Sequence, residues 1–225
     1  MTTIPDELVP FERAKLEAET RKLTAEAIAA EAYQIRAQIA AEQAQFDQRV
    51  AHASDSWNHV YNFVGAVDKN SVFECQYALS RWHRMDPAKP IEIVFHSPGG
   101  SVFDGMALFD YIQHVRRGGV TINTSTRGMA ASMGGILLQA GDYRTMGRES
   151  HILIHEIGSV VVGKLSAVKD EAAFMQRISD RVVDIFVERT GGKLSARTIK
   201  SKWKKTDWWI SSDEALALNL VDEVV

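Results

Sequence analysis

The sequence predicts an α/β layered fold with mainly parallel strands, preceded by one long helix. Three observations carry that prediction. Strand-like and helix-like runs alternate from Val60 onwards, the order that lays strands side by side with helices on their faces. Three of the strand-like runs end in small or chemically active residues: His96-Ser97-Pro98-Gly99-Gly100, Gly128-Met129-Ala130-Ala131-Ser132-Met133-Gly134, and His155. Residues 11–50 contain neither proline nor glycine, and charges of both signs sit between their apolar positions.

The N-terminal stretch Met1-Thr2-Thr3-Ile4-Pro5-Asp6-Glu7 lacks the basic start and apolar centre of a secretory signal. No window approaches the roughly 18 apolar residues needed to span a bilayer, so a cytoplasmic protein is expected. In residues 11–50, Leu16, Leu23, Ile28, Ile35, Ile39, Phe46 and Val50 recur mostly at steps of four and seven, which predicts one amphipathic helix. Many other apolar positions are only alanine, so burial per turn is small and such a helix is marginal alone. It is expected either to pack on another subunit or to fold back on its own domain. The predicted division is a helical extension over 1–55 and a body over 56–225.

The body opens with a strand at Val60–Gly65 and a helix over Ser71–Met85, and Asp86-Pro87-Ala88-Lys89-Pro90 breaks the pattern. Ile91–Phe95 reads as a buried strand leading into the glycine loop. A helix follows over Phe103–Arg117, stopped by Gly118-Gly119. Val120–Thr126 is the next strand, Ile136–Ala140 a helix-like run, and His151–Glu156 a third apolar strand. A long helix over Ser166–Glu188 carries Ala167, Phe174, Ile178, Val182, Ile185 and Phe186 as its apolar stripe, and Thr190-Gly191-Gly192 ends it.

The chemistry gathers at the strand ends. Small residues crowd around the Ser132 hydroxyl where an extended run turns into a helix, the logic of a nucleophile elbow without the G-x-S-x-G spelling. The plainer alternative is a tightly packed helix start with Ser132 as a small core polar group. Gly99 and Gly100 let the backbone approach a ligand and aim N–H groups into a cleft. An alcohol needs a base to take its proton, and histidine is the usual side chain for that task, which nominates His155. His96 and His151 are weaker candidates, and His52, His59, His83 and His114 have no motif around them. No Cys/His cluster or H-E-x-x-H spacing suggests a metal, and no P-loop suggests ATP use in this chain, so no cofactor is expected.

Ser97-Pro98-Gly99-Gly100-Ser101-Val102, then Gly128 to Gly134, then Ile152-Leu153-Ile154-His155 together resemble the Clp family of serine peptidases, the ClpP-like proteolytic subunits. The likeness covers about residues 58–225, including Ser211-Ser212-Asp213-Glu214-Ala215 and Leu220-Val221-Asp222-Glu223-Val224. It implies a ClpP/crotonase-like layered fold of repeated β-β-α units, in which the 166–188 helix is the protruding handle that interlocks two stacked rings of seven. It implies Ser132 as nucleophile, His155 as base, and the backbone N–H groups of Gly100 and Met133 as the oxyanion hole. It also implies unfolded proteins or peptides as substrates, a homo-oligomer, and the option of a separate ATPase unfoldase. The family carries its aspartate after the handle. Aligning on Trp209-Ile210-Ser211 sets Trp203 at that position, and Asp207 is the carboxylate nominated from the nearby run. The stretch to about residue 55 departs from the family, which has a short pore-lining segment there.

Composition narrows the alternatives. With 26 basic against 29 acidic residues, the net charge of −3 gives no general case for nucleic acid or membrane binding. Lysines and tryptophans interleave over Lys200–Trp209, a pattern able to bind single strands; packing of Trp208 and Trp209 beneath the last helix is the competing reading. The single cysteine, Cys75, rules out an internal disulfide and reads as a buried structural thiol. Two other functional classes stay open: a catalytically weak or inactive scaffold of the same fold, and a crotonase-type acyl-CoA enzyme, which needs no serine–histidine pair.

Overall fold

In the computed structural model, which describes residues 9–158, 162–204 and 207–225, the proline- and glycine-free segment forms helix α1 (Val9–His52). The seven residues weighed as a signal sequence lie outside the described residues, as do Lys205 and Thr206 of the Lys/Trp run. The described residues divide into two compact units, one ending at Ser54 and the other running Asp55–Val225. None of the helices is long and apolar enough to cross a membrane, among the described residues.

Helix α1 has 44 residues, about 66 Å at 1.5 Å per residue. The expected single stripe is corrected to two partial ones. At about 100° per residue, Ile28, Ile35, Ile39, Phe46 and Val50 fall within about 60° of each other, but Leu16 and Leu23 lie about 120–140° away. The five-residue step from Leu23 to Ile28 causes the offset, and all seven side chains are exposed.

The second unit begins with the short helix α2 (Asp55–Asn58) and strand β1 (Val60–Val64). Helix α3 (Lys69–Met85) starts at a capping box: Asp68 Oδ1 accepts the N–H groups of Asn70 and Ser71, and Ser71 Oγ accepts the Asp68 N–H. Its buried Val72, Cys75, Leu79 and Trp82 repeat at steps of three and four and face the sheet. Burial raises the Cys75 thiol pKa well above its ordinary value, which keeps it protonated and inert.

Strand β2 (Ile91–Ser97) alternates, with Ile91, Ile93, Phe95 and Ser97 pointing into the core. Helix α4 (Val102–Arg117) is capped by Ser101, whose hydroxyl accepts the Asp104 N–H, and it ends at Gly118. Next come β3 (Ile122–Ala131), α5 (Met133–Leu138), β4 (Arg144–Met146) and β5 (His151–Ile154). Helix α6 (Leu165–Arg189) spans the expected handle, and its fully buried residues lie only in its second half. Helix α7 (Ala196–Trp203), strand β6 (Trp208–Ser211), helix α8 (Ser212–Ala217) and strand β7 (Glu223–Val224) complete the chain.

The strands form one sheet in the order β1-β2-β3-β4-β7, with β5 also on β3 and β6 on β5. Every pairing is parallel except β5 with β6. This is the α/β architecture with mainly parallel strands that the alternation predicts, and the long N-terminal helix precedes it.

Strand β3 runs further than its sequence suggests. Thr124–Thr126 pair with β4, and Met129–Ala131 pair with β5 instead. Against β2 the register passes from Phe95–Thr126 to Ser97–Ala130, so two extra residues of β3 bulge out around Gly128. Gly128 has φ +94°, and a Cβ there would lie 2.4 Å from His96 Nδ1. His96 Nδ1 donates to the Arg127 carbonyl at 3.0 Å, and Ser150 Oγ accepts the Gly128 N–H at 2.8 Å. His96, one of the two weaker histidine candidates, thus braces the bulge that re-aims β3.

A buried ion pair ties β4 to the C-terminal segment. Arg144 is 3% exposed, and its Nε and Nη2 reach the Asp222 carboxylate at 3.0 and 2.6 Å, while the Arg144 N–H donates to the same group. Burial pushes the Asp222 pKa up, but hydrogen bonds from Arg144 and the charges of Arg144 and Arg189 outweigh it and hold it below the ordinary carboxylate value. Asp222→Asn leaves a buried guanidinium without its counter-charge and should cost about 3–5 kcal/mol in urea unfolding at pH 7. Because the folded pKa is depressed, the pair's contribution is present above the unfolded carboxylate value and fades as pH falls through the folded one. The gap between wild type and Asp222→Asn should therefore narrow in acid, and a gap constant with pH would contradict the ionised pair.

Candidate active site

The glycine loop, Ser132 and His155 follow the ends of β2, β3 and β5. Ser132 follows β3 directly and caps α5, with φ +53° and ψ −120°. A non-glycine residue avoids this region, and holding it there costs of order 1–3 kcal/mol. The neighbours over-determine the turn: the Ser132 N–H donates to the Leu153 carbonyl at 2.9 Å, and the Ser132 carbonyl accepts from Gly135 at 3.0 Å and Ile136 at 3.3 Å. All six residues of α5 are buried, which anchors the far side of the turn.

The glycine loop presses against the same turn. A Cβ on Gly99 would lie 2.6 Å from Ser132 Cβ and 2.7 Å from the Ala131 carbonyl oxygen, and Gly99 has φ +92°. Gly100 pairs with Val67 in a parallel bridge: Val67 N–H donates to the Gly99 carbonyl at 2.8 Å, and Ser101 N–H to the Val67 carbonyl at 2.7 Å. These bonds leave the Gly100 N–H unused. Met133 N–H likewise stands at the start of α5, where no preceding turn supplies a carbonyl.

Strand β5 brings the histidine. Ile154 is buried at the strand's end and His155 follows it, half-buried. His155 Nε2 lies 2.7 Å from Ser132 Oγ, within reach for the hydroxyl to donate to a neutral imidazole. The predicted Ser132–His155 pair is therefore together. Beside it lies a small apolar pocket walled by Met133, Ile136, Ile154 and Ile157 and, from α6, by Val182 and Phe186. The sequence shows the last two only as part of a helical stripe. Their four-residue spacing is the signal, but it gives a face without naming what the face lines.

The third role is less closed. Strands β5 and β6 pair antiparallel as His151–Ser211, Ile152–Ile210, Leu153–Trp209 and Ile154–Trp208. One residue further, the same register sets His155 against Asp207. Asp207 is exposed, and no hydrogen bond or ion pair joins it to His155. Trp203, which the alignment on Trp209-Ile210-Ser211 put at the acid's place, is instead a core residue at the end of α7. Trp208 is buried, donating its indole N–H to Glu214 of α8 at 3.3 Å, whereas Trp209 is half exposed, so only the first of the two packs under the last helix. His151 is exposed at the start of β5. Among the described residues no three histidine, cysteine or carboxylate side chains gather as a metal site.

Similarity to known proteins gives the chain its relatives. The family profile described as Clp protease matches residues 57–225. The chain is 38% identical over 142 residues to the ATP-dependent Clp protease proteolytic subunit 1 of Prochlorococcus marinus subsp. pastoris, covering 62% of this chain and 69% of the relative. It is 32% identical over 181 residues to the protein of that name from Protochlamydia amoebophila, covering 79% and 84%. A third of that name, from Chlamydia muridarum, is 33% identical over 167 residues, covering 72% and 84%.

The contact between Gly99 and Ser132 gives a test of the geometry. Gly99→Ala must push the loop off the serine turn, because the colliding atoms are backbone and Cβ. Labelling of Ser132 by a fluorophosphonate should slow by on the order of 10² while the thermal midpoint moves only a few degrees. Unchanged labelling would show that the loop does not set the serine.

Proposed function

We propose, for a chain that belongs to the Clp protease family, that it hydrolyses peptide bonds with Ser132 as nucleophile and His155 as general base. The observation that carries this reading is the 2.7 Å approach of His155 Nε2 to the Ser132 hydroxyl at a strained turn. His155 takes the hydroxyl proton as Ser132 Oγ attacks the scissile carbonyl carbon. The N–H groups of Gly100 and Met133 hold the oxyanion that forms. Collapse breaks the C–N bond, the amine leaves with the proton from His155, and the acyl group stays on Ser132 as an ester. Water, deprotonated by His155, then releases the acid and restores the serine.

Asp207 is the orienting carboxylate of this proposal. With Nε2 accepting from Ser132, the proton of neutral His155 sits on Nδ1, and a carboxylate partner fixes that tautomer. The cross-strand register, which sets Asp207 opposite His155 one residue past the last pair, supports this assignment. The missing bond also supports a second reading, a catalytically weak or inactive scaffold of the same fold. Apolar pocket walls favour an apolar side chain beside the scissile bond.

The substrates are unfolded proteins or peptides, bound extended so that backbone pairing along Ser101-Val102 makes recognition broad. The working form is a homo-oligomer of stacked rings, heptameric as in the resemblance. Because the sequence has no P-loop, any ATP-driven unfolding belongs to a separate partner. Helix α1 packs between subunits or covers the entrance.

Ser132→Ala and His155→Ala should each abolish most peptide cleavage with no change in assembly mass, and the double variant should be little worse than either. Asp207→Asn should lower kcat by on the order of 10⁴ if it fixes the tautomer; a few-fold effect would make it structural. Failure of a fluorophosphonate to label wild-type Ser132 would favour the scaffold.

Deleting residues 1–54 tests α1. Its exposed apolar residues predict either a changed mass in analytical ultracentrifugation or faster cleavage of unfolded proteins than of short peptides, relative to the full chain. A truncated protein equal to the full chain in all three measurements would leave α1 with neither role.

A further inference from the structure

Outside the candidate active site, an apolar groove lies between the first turn of α4 and the middle of α6. This groove encloses about 260 Å³ and is lined by Val102, Phe103 and Met106 on one side and Phe174 and Ile178 on the other. Phe103 and Phe174 stack with ring centroids 5.9 Å apart, yet Phe103 remains 58% exposed. Arg177 lies over the Phe174 ring at 5.3 Å. Two exposed aromatic rings held parallel by neighbours form a ready surface for another apolar group.

Its place relative to Ser132 identifies the occupant. Val102 lines both this groove and the active-site pocket. Phe174, Ile178, Val182 and Phe186 follow one another at four-residue steps along one side of α6. The first pair lines the groove and the second pair the pocket, eight residues or about 12 Å further along the helix. An extended peptide covers about 12 Å in roughly four residues, and an even separation returns its side chain to the same face.

We infer that the Phe103–Phe174 groove is a second specificity subsite, taking an aromatic or large aliphatic side chain about four residues from the one in the active-site pocket. This rests on the peptidase reading, because the occupant is the same extended substrate. The groove adds affinity for longer chains only, since a short peptide cannot reach from one end of the α6 strip to the other. The Arg177 guanidinium at the rim favours an aromatic occupant, which it can face as it faces Phe174.

Binding to the full-length Ser132→Ala protein tests the subsite without cleavage. Labelled decapeptides carry leucine for the pocket and either phenylalanine or serine four positions away, with separate pairs for the two chain directions. In one direction the phenylalanine peptide should bind about tenfold more tightly than its serine partner. Adding Phe174→Ala, or Ile178→Ser as a second variant, should reduce that preference to about twofold or less and leave binding of a leucine tripeptide unchanged. Equal binding of each pair, absence of decapeptide binding, or a preference that survives both variants overturns the inference. So does a change of assembly mass in both variants, which would give the groove to a contact between copies. Cleavage of the same peptides by wild type is judged apart: preferential binding without cleavage keeps the subsite and removes the peptidase reading.

Discussion

The conformation of Ser132 is the constraint on which the site depends. A serine at φ +53° persists only if its surroundings hold it there, and four separate elements do so. Strand β5 accepts its N–H through Leu153, α5 donates to its carbonyl, β3 fixes the residue before it, and the Gly99 backbone closes the open side. Each of those elements is itself pinned by the sheet. The bulge at Gly128 lets β3 leave β4 and continue beside β5, so the strand carrying the serine and the strand carrying the histidine become neighbours. Without the bulge Ser132 and His155 would have no common edge.

The same logic explains what the sequence made legible. Glycine loops, a hydroxyl among small residues and a histidine at a strand end are local patterns, and they placed Gly99, Gly100, Ser132 and His155 correctly relative to their strands. Features that depend on pairing were not visible. Strands β4, β6 and β7 have 3, 4 and 2 residues, too short for periodicity to reveal them. Asp207 could be nominated only as a nearby carboxylate, because its relation to His155 is a property of the β5–β6 register. In α1 the steps of seven and four give one stripe only on either side of the five-residue step from Leu23 to Ile28, which turns the apolar face by about 140°. Trp203, the non-acidic residue that alignment sets at the family's acid position, is a core residue at the end of α7.

The pocket depends on a cluster that no motif announces. Behind α5, the turn at residues 139–142 is gripped by three arginines. Arg116 donates to the Ala140 carbonyl at 2.9 Å, Arg189 to the Gly141 carbonyl at 2.7 Å, and Arg144 to Gln139 Oε1 at 2.8 Å. Arg144 also donates to the Arg189 carbonyl at 3.3 Å, at the end of α6. One buried group thus touches the exit of the helix that begins at Ser132 and the helix that carries Val182 and Phe186. Three guanidinium groups face only Asp142 and Asp222 in this cluster, and burial followed by the charges of Arg144 and Arg116 lowers the Arg189 pKa. Backbone carbonyls of Ala140, Gly141 and Arg189 accept from the three guanidinium groups, although the buried Arg189 Nε has no hydrogen-bond partner among the described residues.

The topology also limits where an orienting group for His155 can originate. Parallel strands joined by helices all present the same ends at the same edge, so β2, β3 and β5 deliver the glycine loop, the serine and the histidine side by side. A partner for the outer nitrogen of His155 must approach from beyond β5, where no further parallel strand is placed. Strand β6 occupies that edge and runs the opposite way, so its first residues, not its last, lie beside His155. The residue preceding β6 is Asp207, and the strand behind it is held by buried Trp208 and Ile210. A carboxylate at any later position of β6 would face β5 further from the histidine. Carried one residue past the Ile154–Trp208 pair, the antiparallel register sets Asp207 opposite His155.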